Sequence, residues 1–275
     1  MQQVVVSNLK GVPETMLWAL YNRATEARRP DALISDPLAI RIADTIAYDY
    51  ARSFGKPESG QVIRALLTDR LLRTWLHEHP SGQVVALGEG LETQFHRVDN
   101  GRVHWLAIDL PEAIAVRSAF LPNTERHRNL ACSALDVRWM DEVDPKQSVF
   151  ITAVGLLKYF QPHEVCSLIA TIAERFPSAD LVFDVMPHLL ARMAQQRRYR
   201  KTAQYIVPPM YWGLNRNELH TIQSWHPHIA EVREIPFEGG RGVQYRIILP
   251  VLRRLPWLGN KLFSLVHVRC QPVNP

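Results

Sequence analysis

The sequence predicts a single Rossmann-like α/β domain, a doubly wound and mostly parallel sheet of seven strands with a helical extension in front and a long insertion after the fifth strand. Three observations carry the prediction. Short, nearly apolar runs alternate with helical stretches from residue 83 onward; a glycine pair, Gly88 and Gly90, directly follows the first run; and an acid, Asp109, closes the second. Strands covered by helices on both faces read as continuous apolar runs rather than alternating ones.

The elements follow in order. Residues 1–80 form a helical preface: Pro13-Glu14-Thr15 opens an amphipathic run through Tyr21, and Asp36-Pro37 starts a second helix with proline at a favoured first position. A third helix, Gln61 to His79, carries Val62, Ala65, Leu66, Leu72, Trp75 and Leu76 at three- and four-residue steps. Residues 83–186 form the core, with strands over Val84–Leu87, Val103–Ile108, Asn129–Ser133, Ser148–Val154 and Asp180–Val185, and helices over Pro111–Phe120 and Pro162–Arg175. The alternation breaks over residues 187–228, where a basic helix, Leu189–Thr202, leads into the aromatic stretch Tyr205–Gly213; this insertion reads as a lid. Residues 229–275 complete the sheet with Glu231–Ile235, a helix over Gly242–Arg254 and a last strand over Ser264–Cys270.

Composition limits the function classes. At 275 residues, with 47% apolar and 21% charged residues, the chain has an ordinary globular balance. No apolar run approaches the roughly 20 residues of a membrane helix, and Met1–Lys10 lacks the order of a signal peptide, so a cytoplasmic protein with no membrane partner is expected. Three cysteines without C-x-x-C or zinc-type spacing predict neither disulfides nor a metal. The formal charge of +5 gathers at Arg28–Arg29, Arg197–Lys201 and Arg253–Arg254, a balance compatible with an anionic small molecule or a nucleic acid.

The chemistry centres on Val84-Val-Ala-Leu-Gly-Glu-Gly-Leu-Glu92. Glycines at a strand end let the backbone turn tightly and approach a ligand where an α/β sheet binds small molecules. A dinucleotide turn needs a third glycine three residues after Gly90, and position 93 is Thr, which disfavours a nicotinamide cofactor. Asp109, about 20 residues beyond the turn, suits the hydroxyls of a ribose, although an acid there can equally cap the next helix. Asp136, after the third strand, would reach the same edge and receive an adenine amino group.

These segments resemble the leucine carboxyl methyltransferase superfamily, particularly its bacterial polyketide O-methyltransferase branch of tetracenomycin type. The resemblance rests on Val84–Asp99, on Arg23–Ala39 as the N-terminal helical signature, on Ile108-Asp-Leu-Pro-Glu112, on Gly155-Leu-Leu-Lys-Tyr159 and on Pro209–Leu214. It implies a class I methyltransferase fold that binds S-adenosyl-L-methionine and releases S-adenosyl-L-homocysteine. Arg64 matches the family arginine that meets the methionine carboxylate, an ordinary pair with Asp69 or Glu58 being its alternative. Gly88, Glu89 and Gly90 would line the methionine portion, Asp109 and Leu110 the ribose, and Asp136 with Val137 the adenine. Val154 stands where the family carries an acid, so either Glu89 substitutes for it or affinity is reduced; Glu92-Thr93-Gln94 also departs from the family triplet.

Methyl transfer requires the nucleophile to be held in line at about 3 Å with water excluded. A carboxylate needs no base, whereas a hydroxyl is helped by one, and His163, His188 and Tyr211 are the candidates. Tyr205, Met210, Tyr211 and Trp212 are expected either to wall an aromatic acceptor or to pack the lid. A small-molecule O-methyltransferase is the favoured function, acting as a monomer or homodimer. A catalytically silent interaction protein and a nucleic-acid methyltransferase are the alternatives.

Overall fold

A computed structural model describes residue 6, residues 9–196 and residues 200–272. Helices α1 (Thr15–Ala27), α2 (Pro37–Thr45), α3 (Tyr50–Phe54) and α4 (Ser59–Glu78) precede the sheet. The chain continues through β1 (Gln83–Leu87), α5 (Gln94–Val98), β2 (His104–Asp109), α6 (Pro111–Phe120), β3 (His127–Ala131), β4 (Val149–Ala153), α7 (Pro162–Arg175) and β5 (Asp180–Val185). It ends with α8 (His188–Gln195), β6 (Ile229–Pro236), α9 (Leu249–Arg254), α10 (Pro256–Gly259) and β7 (Ser264–Cys270).

The seven strands lie in the order β3-β2-β1-β4-β5-β7-β6, and β7 runs antiparallel to both neighbours. The order reverses between β1 and β4, which opens a crevice at their carboxyl ends. Alternate residues of β1 face opposite layers. Val85 and Leu87 join Ile151, Phe183 and the α7 residues Val165, Ile169 and Ile172, while Val84 and Ala86 join Phe150, Val182 and the α4 residues Leu72, Trp75 and Leu76. Each such side chain contributes about 1.5–3 kcal/mol on burial, so the sheet is a rigid base for what its edge carries.

The helical preface is not a peripheral decoration. Asp36 caps α2 by accepting the Ala39 N–H at 2.9 Å, and its other carboxylate oxygen accepts from Thr93 at 2.6 Å beneath the glycine turn. Arg23 of α1 donates to the Leu91 carbonyl at 2.7 Å. The N-terminal signature therefore grips the turn directly.

The basic helix expected over Leu189–Thr202 is shorter, covering His188–Gln195, because the chain folds back where Lys201 N–H donates to the Tyr205 carbonyl at 3.0 Å. Arg197 and Arg198 of that segment lie outside the described residues.

Candidate active site

Past Leu87 the chain turns through Gly88 and Gly90, both left-handed, with φ of 65° and 51°. A Cβ on Gly88 would lie 2.8 Å from Leu156, and one on Gly90 would lie 2.6 Å from Met16, so the turn is held between the segment after β4 and helix α1. Gly90 N–H donates to Asp109 Oδ2 and Leu110 N–H donates to Oδ1, each at 2.7 Å. These amides fix the carboxylate while leaving it acceptor capacity toward the crevice. Burial raises the Asp109 carboxyl above its usual range, and the two amides draw it back. Asp109 does not cap α6, whose N-cap is Leu110.

A buried ionic layer supports the turn. Arg97 pairs with Asp36 at 2.9 Å, Asp69 at 2.8 Å and Glu92 at 2.7 Å, while Gln94 donates to Asp69 at 2.8 Å. Arg117 donates to the carbonyls of Gly90 at 2.9 Å and Glu92 at 2.7 Å. The Glu92-Thr93-Gln94 departure is thus accommodated within one satisfied network. Glu89 belongs to the same layer: its carboxylate accepts from Trp105 Nε1 at 3.1 Å and lies 3.1 Å from Arg117. It lines the smaller cavity while its carboxylate is engaged by Arg117 and Trp105 beneath the turn.

An acid does stand close by, on the neighbouring strand. Ala153 pairs with Phe183 in the β4–β5 register, which sets Val154 beside Asp184. Asp184 Oδ1 accepts the Gly155 N–H, Oδ2 lies 3.3 Å from Arg64 Nη1, and Lys158 Nζ stands 3.9 Å away. Burial works to raise the Asp184 carboxyl, and Arg64, Lys158 and the amide outweigh it, holding it below its usual range. Burial lowers the Lys158 ammonium, with Asp184 acting against that shift. Arg64 Nη2 also donates to Gln61 at 2.9 Å. The pairings once open to Arg64 are taken elsewhere: Asp69 serves Arg97, and Glu58 serves Lys201.

Two cavities meet here. The smaller, about 120 Å³, is lined by Gly88, Gly90, Asp109, Val154, Gly155 and Tyr159. The larger, about 810 Å³, is walled by Met186, Leu190, Phe237, Tyr245, Leu249 and Phe263, with Asp184 at its base. Trp18, Gln61, Arg64, Lys158 and Met210 line both.

Several expected residues lie elsewhere. Asp136 and Val137 line neither cavity; Asp136 is bound to Arg138, which holds its carboxyl at about 2, and Val137 is exposed. Leu110 contributes its amide to Asp109 and is not a lining residue. Of the aromatic stretch, only Met210 reaches the cavities. Tyr205 packs edge-on to Phe54 at 4.9 Å, Trp212 is buried against Phe183, and Tyr211 is exposed with its N–H bonded to the Lys158 carbonyl at 2.7 Å. His163 is exposed at the start of α7, and His188 pairs with Glu218 at 2.9 Å; neither lines a cavity. None of the three base candidates is a lining residue. The unexpected contributors are Asp184, Lys158, Trp18 and the segment between β6 and β7. None carried a clear signal in the sequence; even Asp184 lies in a strand that opens on a second acid, Asp180.

Comparison with known proteins follows the same lines. Residues 16–173 match the model of the leucine carboxyl methyltransferase family. The tetracenomycin polyketide synthesis O-methyltransferase TcmP of Streptomyces glaucescens is 26% identical over 251 residues, covering 86% of this chain and 92% of TcmP. A possible exported protein of Bordetella parapertussis superposes with a TM-score of 0.50 at 13% identity, covering 95% of this chain and 96% of its own. The small RNA methyltransferase HEN1 gives a TM-score of 0.50 at 10% identity over 77% of this chain and 26% of its own.

Proposed function

The chain belongs to the leucine carboxyl methyltransferase family, and on that premise we propose that it transfers a methyl group from S-adenosylmethionine to a carboxylate oxygen of a small, apolar, polyketide-like acceptor. The observation that carries the reading is the shared wall of Trp18, Gln61, Arg64, Lys158 and Met210 between a small polar cavity and a larger, more apolar one that also carries Glu58, Arg241, Arg253 and Lys261. TcmP, an O-methyltransferase of polyketide synthesis, supports the choice of oxygen and of acceptor class.

The donor set of the smaller cavity fits the cofactor. Asp109 offers carboxylate oxygens to ribose hydroxyls at the second strand end, and the glycine turn leaves the backbone bare beside it. Arg64, on the wall shared by both cavities, supplies a planar guanidinium for the methionine carboxylate, and Asp184, at the base of the larger cavity beside Arg64, a carboxylate for its ammonium. When bound, the cofactor supplies an electrophilic methyl group on a sulfonium. The chain's own task is to orient the acceptor and exclude water. Lys158 draws an acceptor carboxylate to the junction, while Trp18 and Met210 close its apolar sides. A carboxylate is already ionised at neutral pH, which agrees with a junction lacking a lining histidine. The whole chain works as a single domain, its preface fixing the turn and its C-terminal strands carrying the acceptor wall.

The test is methyl transfer from labelled S-adenosylmethionine to aromatic carboxylic acids and to the matching phenols. Base-labile methyl esters are expected. Base-stable ethers alone would reverse the choice of acceptor oxygen.

A further inference from the structure

The segment between β6 and β7 has two apolar sides. Tyr245, Leu249 and Leu262 line the larger cavity, while seven apolar side chains are exposed: Val243 and Phe263, which also line the cavity, and Ile247, Ile248, Val251, Leu255 and Trp257, which do not, Trp257 to 67%. These are seven of the twelve large apolar side chains exposed among the described residues, gathered within about twenty positions. Val243, Ile247 and Val251 recur at four-residue steps along one continuous helical run, and Leu255 follows the same step at its end. A monomer does not ordinarily gather its exposed apolar residues in this way.

Charge indicates what covers them. Residues 239–263 contain no Asp or Glu and five cations. Arg241 is committed to Glu26 and Asp31, and Arg253 to Glu234. Arg246, Arg254 and Lys261 are exposed and make no ion pair among the described residues. Exposed aliphatic residues and a tryptophan interleaved with unpaired cations match an anionic lipid surface, which takes apolar groups below its headgroups and attracts each nearby cation. A second copy of the chain would bring the same positive charges into opposition.

We infer that residues 243–263 dock the protein peripherally on an anionic membrane surface, a partner that the sequence alone did not lead us to expect. No helix of the described residues is long and apolar enough to cross a bilayer, so the contact lies in the interface plane. The inference does not depend on the acceptor's identity, and its readout is independent of methyl transfer.

The test is cosedimentation of the full chain with vesicles of phosphatidylcholine containing about 30 mol % phosphatidylglycerol, against pure phosphatidylcholine. Binding to the anionic vesicles is expected, weakened about tenfold or more by Arg246→Gln with Arg254→Gln, and likewise by Val251→Ser with Trp257→Ser. All four side chains are exposed, so thermal unfolding of each variant should match that of the wild type. Equal binding to both vesicle types, or variants that bind like the wild type, would overturn the inference. So would sedimentation equilibrium revealing a dimer dispersed by Val251→Ser with Trp257→Ser and no vesicle binding, which assigns the face to a second copy.

Discussion

Arg64 on α4 and Asp184 on β5 stand 120 residues apart in the chain and meet with Nη1 3.3 Å from Oδ2, directly beside Val154. An acid thus stands one strand over from position 154, where the family pattern carries one, and takes that role in the proposed site. Asp184→Asn is expected to weaken S-adenosylhomocysteine binding about 10- to 100-fold, the worth of a hydrogen bond to a charged group. Val154→Glu added to Asp184→Asn should recover most of that loss. Calorimetric titration of the two variants checks both statements.

The two cavities predict separable kinetics. Leu249 lines only the larger one. Leu249→Trp should therefore raise the acceptor KM about tenfold or more, as expected for overfilling a pocket by 1–3 kcal/mol, and leave S-adenosylhomocysteine affinity unchanged. Steady-state kinetics beside a binding titration decides it.

Arg117 is 1% exposed and holds the turn carbonyls together with Glu89. Arg117→Met leaves Glu89 buried without its cation, so a loss of about 3–5 kcal/mol is expected. Chemical denaturation measures it. Arg117→Lys should recover little, because one ammonium cannot reach both carbonyls and the carboxylate.

The turn's two acids respond oppositely to pH. Burial pushes Glu89 up to about 7 against the pull of Arg117 and Trp105; burial also acts on Glu92, but Arg23 and Arg97 bring it down to about 2. An unfolded glutamate titrates near ~4.3. Glu92 therefore adds stability above that value, which is lost as pH falls toward about 2. Native Glu89 keeps its proton longer than the unfolded chain, so stability falls as pH rises from ~4.3 to about 7. Relative to Glu89→Gln, the wild type should lose about 3 kcal/mol across that rise. Urea denaturation at stepped pH values follows the difference.

The sheet was legible because apolar runs and strand-end turns leave strong local patterns: Pro111–Phe120, Pro162–Arg175 and Ser264–Cys270 have the boundaries that the sequence predicts. Gly88, Gly90 and Asp109 were legible for the same reason, since a strand end fixes where each side chain emerges. Asp184 was not, because an acid inside a buried strand acquires its meaning only from the neighbour it meets in register. Tyr205 and Trp212 misled because an aromatic cluster in a loop suits a ligand wall and a packed core equally well. The part of the larger cavity's wall that runs from Phe237 to Phe263 was hidden, since a helix with two apolar faces does not disclose which one closes a cavity. Asp136 depended on its own neighbour, Arg138, which takes the carboxylate outward.

The most direct test of the account is a calorimetric titration of S-adenosylhomocysteine into the wild type and Asp109→Ala. Saturable binding is expected for the wild type, with affinity about tenfold or more weaker in the variant, where the ribose acceptor is gone. No binding to the wild type, or equal affinity in both, would contradict a cofactor site between Asp109 and Arg64.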